Sequence, residues 1–196
     1  MTTCPFLARV IVGLALVAVL GLPRMVAAQV NAGPYVPTPD TVVEAMLTLA
    51  RVGPKDFVID LGSGDGRIVI TAAKKFGARG FGVDIDDTLV ALSNRAAARE
   101  GVGDRAKFFR QDLFQTAIGQ ATVVTVYLLP TTVNMLRDKL RGELKPGTRI
   151  VSHDYPLDGW IPDRTLSMDV QDKINATGVP TTWLYLYTLP PKLSGN

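Results

Sequence analysis

Glycine stands at every second position in the second part of a short stretch, D-L-G-S-G-D-G, at residues 60–66, which also contains two aspartates. Glycine allows a sharp turn with positive φ, and it lets backbone N–H groups approach a small molecule without a Cβ in the way. The apolar run that leads into this loop contains Asp60, and the next apolar run along the chain ends at Asp84. A carboxylate at the end of a second strand can accept both hydroxyl hydrogens of a ribose. The pattern therefore predicts a site for a ribose-bearing cofactor.

The spacing of the glycines differs from that of two common phosphate-binding loops. The dinucleotide fingerprint G-x-G-x-x-G, counted from Gly62, requires a glycine where Arg67 stands. A P-loop requires a lysine followed by serine or threonine, and no such pair follows the glycines. Two structural alternatives stay open at this point: the loop as an ordinary strand–helix turn, and Asp84 as a helix cap.

Short apolar runs alternate with segments of helical periodicity along most of the chain. Thr38 is predicted to cap a helix with Pro39 at its first position, and Asp87 to cap a helix that reaches Glu100. Strands are predicted at 57–61, 80–84, 106–112, 122–129 and in a run ending at 154, further helices at 66–76 and 132–140, and an antiparallel hairpin at 164–170 and 181–189. This order predicts an α/β fold, a doubly wound, mostly parallel sheet with a C-terminal antiparallel β-hairpin.

Several motifs in this order resemble those of a known family. V-I-D-L-G-S-G-D-G, then Asp84, then R-Q-D-L-F are similar to the motifs of class I S-adenosylmethionine-dependent methyltransferases, which have a Rossmann-like fold. Y-V-P-T-P, Y-L-L-P and E-L-K-P-G-T-R-I-V-S-H-D-Y resemble one branch of them. That branch is the small protein-lysine methyltransferases related to the ATP synthase c-subunit and adenine nucleotide translocase lysine methyltransferases. The resemblance covers residues 35–160 and implies S-adenosylmethionine as cofactor and S-adenosylhomocysteine as product.

The resemblance also implies a role for each acid around the cofactor. The glycine loop would wrap the methionine part, with Asp60 near its amino group, while Asp84 would bind the ribose and Asp112 would face the adenine amine. Asp112 as a loop cap, and the residues before the first helix as a plain linker, stay open as alternatives. The predicted cofactor-binding residues are Asp60, Gly62, Ser63, Gly64, Gly66, Asp84, Ile85, Asp112, Leu113, Tyr35 and Thr38.

Candidate catalytic residues lie at the ends of the fourth and fifth predicted strands. Methyl transfer to an amine is an in-line displacement, so the protein chiefly aligns and desolvates the reactants. A lysine with a reference pKa of about 10.4 must arrive neutral, which requires a proton acceptor or a dry pocket. Tyr127 could present its hydroxyl or its ring to the amine, and Asp154 could hold the ammonium and help to remove its proton. His153 is a candidate catalytic residue or a structural histidine bonded to backbone.

Charge and composition limit the partners and metals that the chain can bind. Of the 21 Lys and Arg residues, Arg9 and Arg24 lie in the first 28 residues, which leaves 19 basic against 18 acidic residues from Gln29 onward. This balance argues against an electrostatic nucleic-acid binder. The sequence has one cysteine, Cys4, and one histidine, which excludes a zinc site built on Cys and His. Magnesium bound by carboxylates stays open as an alternative, but no motif indicates it, so we expect no bound metal.

The N-terminal segment has the features of a targeting sequence. An uncharged apolar stretch at residues 10–23 follows Arg9, and small residues at Val26 and Ala28 suit cleavage by a signal peptidase after Ala28. We predict a signal peptide or membrane anchor at 1–28, a linker at 29–37 and the methyltransferase domain at 38–190. The domain is then either exported to the periplasm or held at the inner membrane by an uncleaved segment.

Three functions are compatible with these features. The first is methyl transfer to a protein lysine, because the predicted domain has no inserted substrate-recognition segment and suits a substrate presented by another protein, including a membrane-embedded one. The second is a small-molecule methyltransferase, which needs an enclosed apolar pocket above Tyr127. The third is a non-catalytic S-adenosylmethionine-binding module. A nicotinamide oxidoreductase is disfavoured by Arg67.

Overall fold

A computed structural model describes residues 35–171, 174 and 178–194 of the chain. The predicted targeting segment at 1–28 lies outside these residues, as does most of the predicted linker, so both stay predictions. No helix in the described part of the chain is long and apolar enough to cross a membrane.

In the described residues, nine strands form one large sheet and one small one. They are β1 (Phe57–Leu61), β2 (Arg79–Asp84), β3 (Ala106–Arg110), β4 (Val123–Val126), β5 (Arg149–His153), β6 (Trp160–Ile161), β7 (Arg164–Asp169), β8 (Thr181–Thr188) and β9 (Lys192–Leu193). The large sheet has the order β3-β2-β1-β4-β5-β8-β7, and the small sheet pairs β6 with β9. Strands β1 to β5 run parallel to one another, whereas β8 is antiparallel to both β5 and β7. The predicted doubly wound sheet and its C-terminal hairpin are confirmed.

Helices cover both faces of the large sheet. They are α1 (Asp40–Leu49), α2 (Arg67–Lys75), α3 (Asp87–Arg99), α4 (Pro130–Met135) and α5 (Arg137–Glu143). On one face, α1 and α2 bury Val43 and Ile68 against Val58 of β1. On the other face, Leu136 and Leu140 pack with Ile59, the next residue of β1. Successive side chains of a strand point to opposite faces, so a strand buried on both faces is apolar throughout, as F-V-I-D-L nearly is.

Two predicted helix caps were wrong. Thr38 does not cap α1, because Pro39 is the residue before the helix and no side-chain capping hydrogen bond is formed at that position. Asp86, not Asp87, caps α3: its backbone is extended, and its carboxylate accepts hydrogen bonds from the N–H groups of Thr88 and Leu89. The cap therefore lies one residue closer to the end of β2 than expected.

The helix predicted at 132–140 is two helices, α4 and α5, that meet at Leu136. The N–H of Leu136 lies 3.3 Å from the carbonyl of Thr132 and 3.2 Å from that of Val133, so the chain tightens at this turn. The periodicity of apolar residues continues through the junction, which is why the sequence indicated one helix.

Candidate active site

A cleft of about 260 Å³ opens at the carboxyl ends of β1, β2 and β4. The order of the sheet reverses between β1 and β4, and such switch points are where ligands bind in open α/β sheets. Ten of the eleven predicted cofactor residues line this cleft. They are Tyr35, Thr38, Asp60, Gly62, Ser63, Gly64, Asp84, Ile85, Asp112 and Leu113.

The glycine loop crosses the floor of the cleft in a conformation that excludes side chains. The φ angles of Gly62 and Gly64 are 84° and 52°. A Cβ on Gly62 would lie 2.6 Å from the side chain of Leu128, and one on Gly64 would lie 2.6 Å from the ring of Tyr35. The N–H groups of Gly62 and Ser63 both donate to the carbonyl of Val83 at 2.9 Å, which fixes the loop against β2.

Gly66 is the predicted cofactor residue that lies outside the cleft lining. It is the residue before α2, its φ is 82°, and a Cβ there would lie 2.5 Å from both Phe108 and Ser93. The glycine is therefore required by the packing of α2 against α3 and β3. The predicted role of Gly66 in cofactor binding stays a prediction.

Asp84 is oriented by two backbone hydrogen bonds. Its Oδ2 accepts from the N–H of Gly64 at 2.9 Å, and its Oδ1 accepts from the N–H of Asp86 at 3.0 Å. Each oxygen keeps a second lone pair that a ribose hydroxyl can donate to. Since Asp86 caps α3, the alternative of Asp84 as a helix cap is wrong.

Asp60 is a buried carboxyl group at the head of the loop. Its residue is 2% exposed, and its Oδ1 accepts a hydrogen bond of 2.7 Å from the hydroxyl of Thr125. Burial raises the pKa of Asp60 to about 7, and the nearby charges of Asp84 and Asp65 act in the same direction. A bound ammonium group beside Asp60 would favour its ionised form, so the site is suited to a cationic ligand group.

Asp112 follows β3 and lines the cleft. Its side chain also bonds to the backbone of the loop in which it lies. Its Oδ1 accepts from the N–H of Phe114 at 2.8 Å, so the loop-cap alternative holds together with the cleft position. Phe114 also lines the cleft, and sequence reasoning missed it. The signal was available, because Phe114 closes the R-Q-D-L-F motif and an aromatic ring is a suitable surface for a purine.

Of the three predicted catalytic residues, Tyr127 alone lines the cleft. Its ring stacks on that of His153, with centroids 3.8 Å apart and planes 32° apart. Burial raises the pKa of Tyr127 above its ordinary range, and the charge of Asp154 and a hydrogen bond to that residue raise it further. The phenol is therefore a neutral donor to Asp154, and its oxygen lone pairs remain available to a substrate.

Asp154 and His153 lie behind Tyr127 and share Thr182 of β8. The Thr182 hydroxyl donates to Oδ1 of Asp154 at 2.8 Å, and Nε2 of His153 lies 2.6 Å from the same hydroxyl. Because the hydroxyl has one hydrogen, Nε2 carries the proton that it shares with Thr182. His153 is 1% exposed and its Nε2 contacts the Thr182 side chain, so the alternative of a structural histidine fits its place. The roles of Tyr127, Asp154 and His153 stay predictions.

Asp65 and Arg67 also line the cleft, and the sequence did not indicate that they form an ion pair there. Arg67 donates from Nε and Nη2 to Asp65 at 2.9 and 2.6 Å. In the part of the chain that the structure describes, no three His, Cys, Asp or Glu side chains are grouped to hold a metal ion.

Comparison with known proteins agrees with this geometry. A family model described as the ANTKMT methyltransferase domain matches residues 60–164, just over half of the chain. A protein-lysine N-methyltransferase of Saccharolobus islandicus is 43% identical over 157 residues, which are 80% of this chain and 93% of that protein. The chain belongs to this methyltransferase family.

Two further proteins are similar to this methyltransferase over most of its length. An ATP synthase c-subunit lysine N-methyltransferase of Xenopus laevis is 35% identical over 152 residues, 78% of this chain but 62% of that protein. The chain therefore spans less than two thirds of the frog enzyme. A crystal structure titled an RNA methyltransferase from Salinibacter ruber, in complex with S-adenosylhomocysteine, is 44% identical. It has a TM-score of 0.73 and covers 82% of this chain and 98% of that one.

The methyltransferase is S-adenosylmethionine-dependent, and the cleft fits that cofactor. Gly62 and Gly64 line the cleft and carry no Cβ, so their backbone is open to a ligand, and a Cβ at either position would clash with Leu128 or Tyr35. Asp60 offers a buried carboxyl to an ammonium group, and Asp84 offers an oriented carboxylate to hydroxyl groups. Arg67, a cation in the cleft lining, is bonded to an acidic residue of the loop, which agrees with a phosphate-free cofactor.

Proposed function

We propose that this methyltransferase transfers the methyl group of S-adenosylmethionine to the side-chain amine of a lysine in another protein. The geometric support is the phenol of Tyr127, which forms part of the cleft wall and is held from behind by the Asp154 carboxylate. The relatives named as protein-lysine and ATP synthase c-subunit lysine methyltransferases support the same acceptor.

S-adenosylmethionine supplies an activated methyl group on a positively charged sulfur, so the protein has to orient the amine and keep it neutral. The phenol oxygen of Tyr127 can accept an N–H of the amine and direct the nitrogen lone pair into the cleft. The ring of His153 fixes the plane of the phenol, and the negative charge of Asp154 favours the positive charge that develops on nitrogen. The surplus proton of the methylated ammonium then leaves to water.

The substrate that we propose is a membrane protein, brought close by the N-terminal apolar segment. That segment, residues 10–23, lies next to the domain in sequence. A relative named for a component of the ATP synthase supports this choice. We propose that the segment either stays uncleaved and anchors the domain at the membrane, or is cleaved and exports the domain to the periplasm. Fractionation of cells combined with N-terminal sequencing of the mature chain distinguishes the two, because cleavage after Ala28 leaves Gln29 as the first residue.

Incubation of the full chain with methyl-labelled S-adenosylmethionine tests the acceptor. Membrane proteins, soluble proteins, small metabolites and RNA from the same cells are supplied separately. We expect label in a membrane protein, and in methylated lysine after acid hydrolysis. Label confined to small metabolites would contradict the proposal.

RNA methylation is the second candidate, because the Salinibacter ruber structure carries that name. The nearly balanced charge from Gln29 onward disfavours RNA as the acceptor. Label that ribonuclease removes and protease leaves in place would favour RNA over lysine.

A further inference from the structure

We propose that Arg67 is a positioning residue that clamps the strap, defined as residues 35–38, over the bound cofactor. The proposal rests on the assignment of S-adenosylmethionine to the cleft. It gives a function to the residue that replaces the third glycine of a dinucleotide fingerprint.

The strap forms one wall of the cofactor cleft. All four of its residues line the cleft, and the ring of Tyr35 lies over Gly64 at the centre of the glycine loop. Thr38 is 5% exposed, so the end of the strap that adjoins α1 is buried. A cofactor in this cleft therefore lies between the loop and the strap.

Arg67 joins the strap to the glycine loop through its guanidinium group. Nε and Nη2 form a forked pair with Asp65 of the loop, and Nη1 donates to the carbonyl oxygen of Thr38 at 2.8 Å. Nη1 also lies 3.7 Å from Oδ1 of Asp40, the first residue of α1. One side chain thus bonds to the loop, the strap and the helix that follows it.

Asp65 and Tyr35 complete the connection from the other end of the strap. Burial alone would raise the pKa of Asp65, but the hydrogen bonds and charge of Arg67 and a hydrogen bond from Tyr35 lower it. The ionised carboxylate of Asp65 therefore bonds to both Arg67 and the Tyr35 hydroxyl. The two ends of the strap are held by the same ion pair.

The geometry of the clamp requires arginine. A planar guanidinium can place two N–H groups on a carboxylate and a third on a carbonyl, whereas lysine has a single nitrogen on a flexible stem. Pro37 has no N–H to donate, so its backbone nitrogen cannot hold the strap, whereas the Thr38 carbonyl accepts from Arg67. We infer that loosening the clamp lets the cofactor leave faster and leaves the chemistry at Tyr127 largely unaffected.

Arg67→Lys tests the clamp, with Arg105→Lys as the matched control. Nε of Arg105 lies 4.0 Å from Oδ1 of Asp104. Arg105 comes just before β3, at the amino end of the parallel strands, whereas the cleft lies at their carboxyl ends. For Arg67→Lys we expect the dissociation rate of S-adenosylhomocysteine to rise about tenfold, since charged hydrogen bonds of this kind are lost. The KM for S-adenosylmethionine rises with it, and kcat changes less than KM. Arg105→Lys leaves both unchanged.

Hydrogen–deuterium exchange reports on the strap directly. In Arg67→Lys we expect faster exchange in peptides that contain the strap and no change in peptides from β4 and β5. Faster exchange with an unchanged dissociation rate would overturn the proposal, because the strap would then not retain the cofactor. Unchanged exchange would also overturn it.

Tyr35→Phe is the second variant, and it keeps the test valid if Arg67→Lys folds poorly. Tyr35 is 46% exposed, so loss of its hydroxyl does not threaten the fold. We expect a smaller rise in the dissociation rate, about threefold, from the loss of one hydrogen bond to a carboxylate. An unchanged rate in this variant would contradict the proposal. Failure of the wild-type protein to bind S-adenosylhomocysteine would instead overturn the cofactor assignment.

Discussion

The phenol of Tyr127 and the carboxyl of Asp60 lie in one cleft, and burial raises the pKa of both. The consequences differ because the groups carry different charges. A raised pKa keeps Tyr127 neutral at every physiological pH, so it acts as a fixed hydrogen-bonding group. Asp60, in contrast, titrates near neutrality, so its charge depends on the pH and on what is bound beside it.

Removal of the Tyr127 hydroxyl tests its proposed role. Tyr127→Phe keeps the ring that stacks on His153 but loses the acceptor for the amine and the bond to Asp154. We expect kcat to fall about 100-fold, within the usual contribution of a positioned proton-transfer or hydrogen-bonding group. The affinity for S-adenosylhomocysteine, measured by calorimetry, should change less than about threefold. A variant with full kcat would show that the hydroxyl has no role in the transfer.

Asp60 makes the stability of the cofactor-free protein depend on pH. Its pKa is about 7 in the folded protein against an ordinary value of 3.8, so between these pH values the folded state holds a proton that the unfolded chain has lost. The contribution of Asp60 to the free energy of unfolding is therefore highest below pH 4, falls as the pH rises, and levels off above pH 7.

Asp60→Asn should remove this contribution. We expect the variant to melt roughly 5 °C higher than wild type at pH 8 and at nearly the same temperature at pH 4. The same variant should bind S-adenosylmethionine more weakly, because the carboxylate no longer faces its ammonium group. Thermal melts at both pH values check the first expectation, and parallel melting curves at every pH would contradict it.

At the scale of elements, the loop between β1 and α2 has two parts with different tasks. Gly62 and Gly64 line the cleft and leave space for the side chains of Leu128 and Tyr35. Gly66, two residues further on, lets α2 pack against Ser93 of α3 and Phe108 of β3. One glycine-rich motif therefore serves ligand binding at its start and helix packing at its end.

Substitution of Gly66 tests the packing role. Gly66→Ala introduces a Cβ at φ 82° and within 2.5 Å of two side chains, so we expect a loss of about 2–4 kcal/mol in the free energy of unfolding. Gly147→Ala is the matched control, because Gly147 has φ 86° and nothing within 4 Å of a built Cβ. It should lose about 1–2 kcal/mol from backbone strain alone. If urea denaturation gave the same loss of unfolding free energy for both variants, contact of the added Cβ with Phe108 and Ser93 would not be destabilising.

At the scale of the whole molecule, the cofactor cleft is assembled from the carboxyl ends of four parallel strands. Asp60, Asp84, Asp112 and Tyr127 lie in or just after β1, β2, β3 and β4, respectively. Cofactor binding should therefore stabilise the central sheet as a unit, since a ligand that binds the folded state alone shifts the unfolding equilibrium.

S-adenosylhomocysteine at about 100 times its dissociation constant should stabilise the fold by about 2.7 kcal/mol. For a domain of this size we expect the melting temperature to rise by roughly 5–10 °C. NAD at the same concentration should have no effect. Asp84→Asn should lose at least half of the rise, whereas Asp87→Asn, an exposed carboxylate paired with Arg110, should keep it. An equal response of both variants would contradict the ribose role of Asp84.

The elements and the floor of the cleft could be predicted because their signals are local. F-V-I-D-L is apolar throughout apart from Asp60, the glycines follow it directly, and Asp84 ends the next strand, so sequence spacing alone placed these residues together. The caps of α1 and α3 were missed by one residue, because several polar residues compete for each position and tertiary context selects among them.

The sequence by itself determined the doubly wound sheet, the family and the acids that line the cleft, because each depends on residues close together in the chain. The tertiary structure alone decided the link between Asp154 and Thr182 and the bond from Arg67 to the strap. The first depends on the register in which β8 pairs with β5, and the second on the packing of α1 against α2. Neither quantity is encoded in local periodicity, since both arise when distant segments pack into one core.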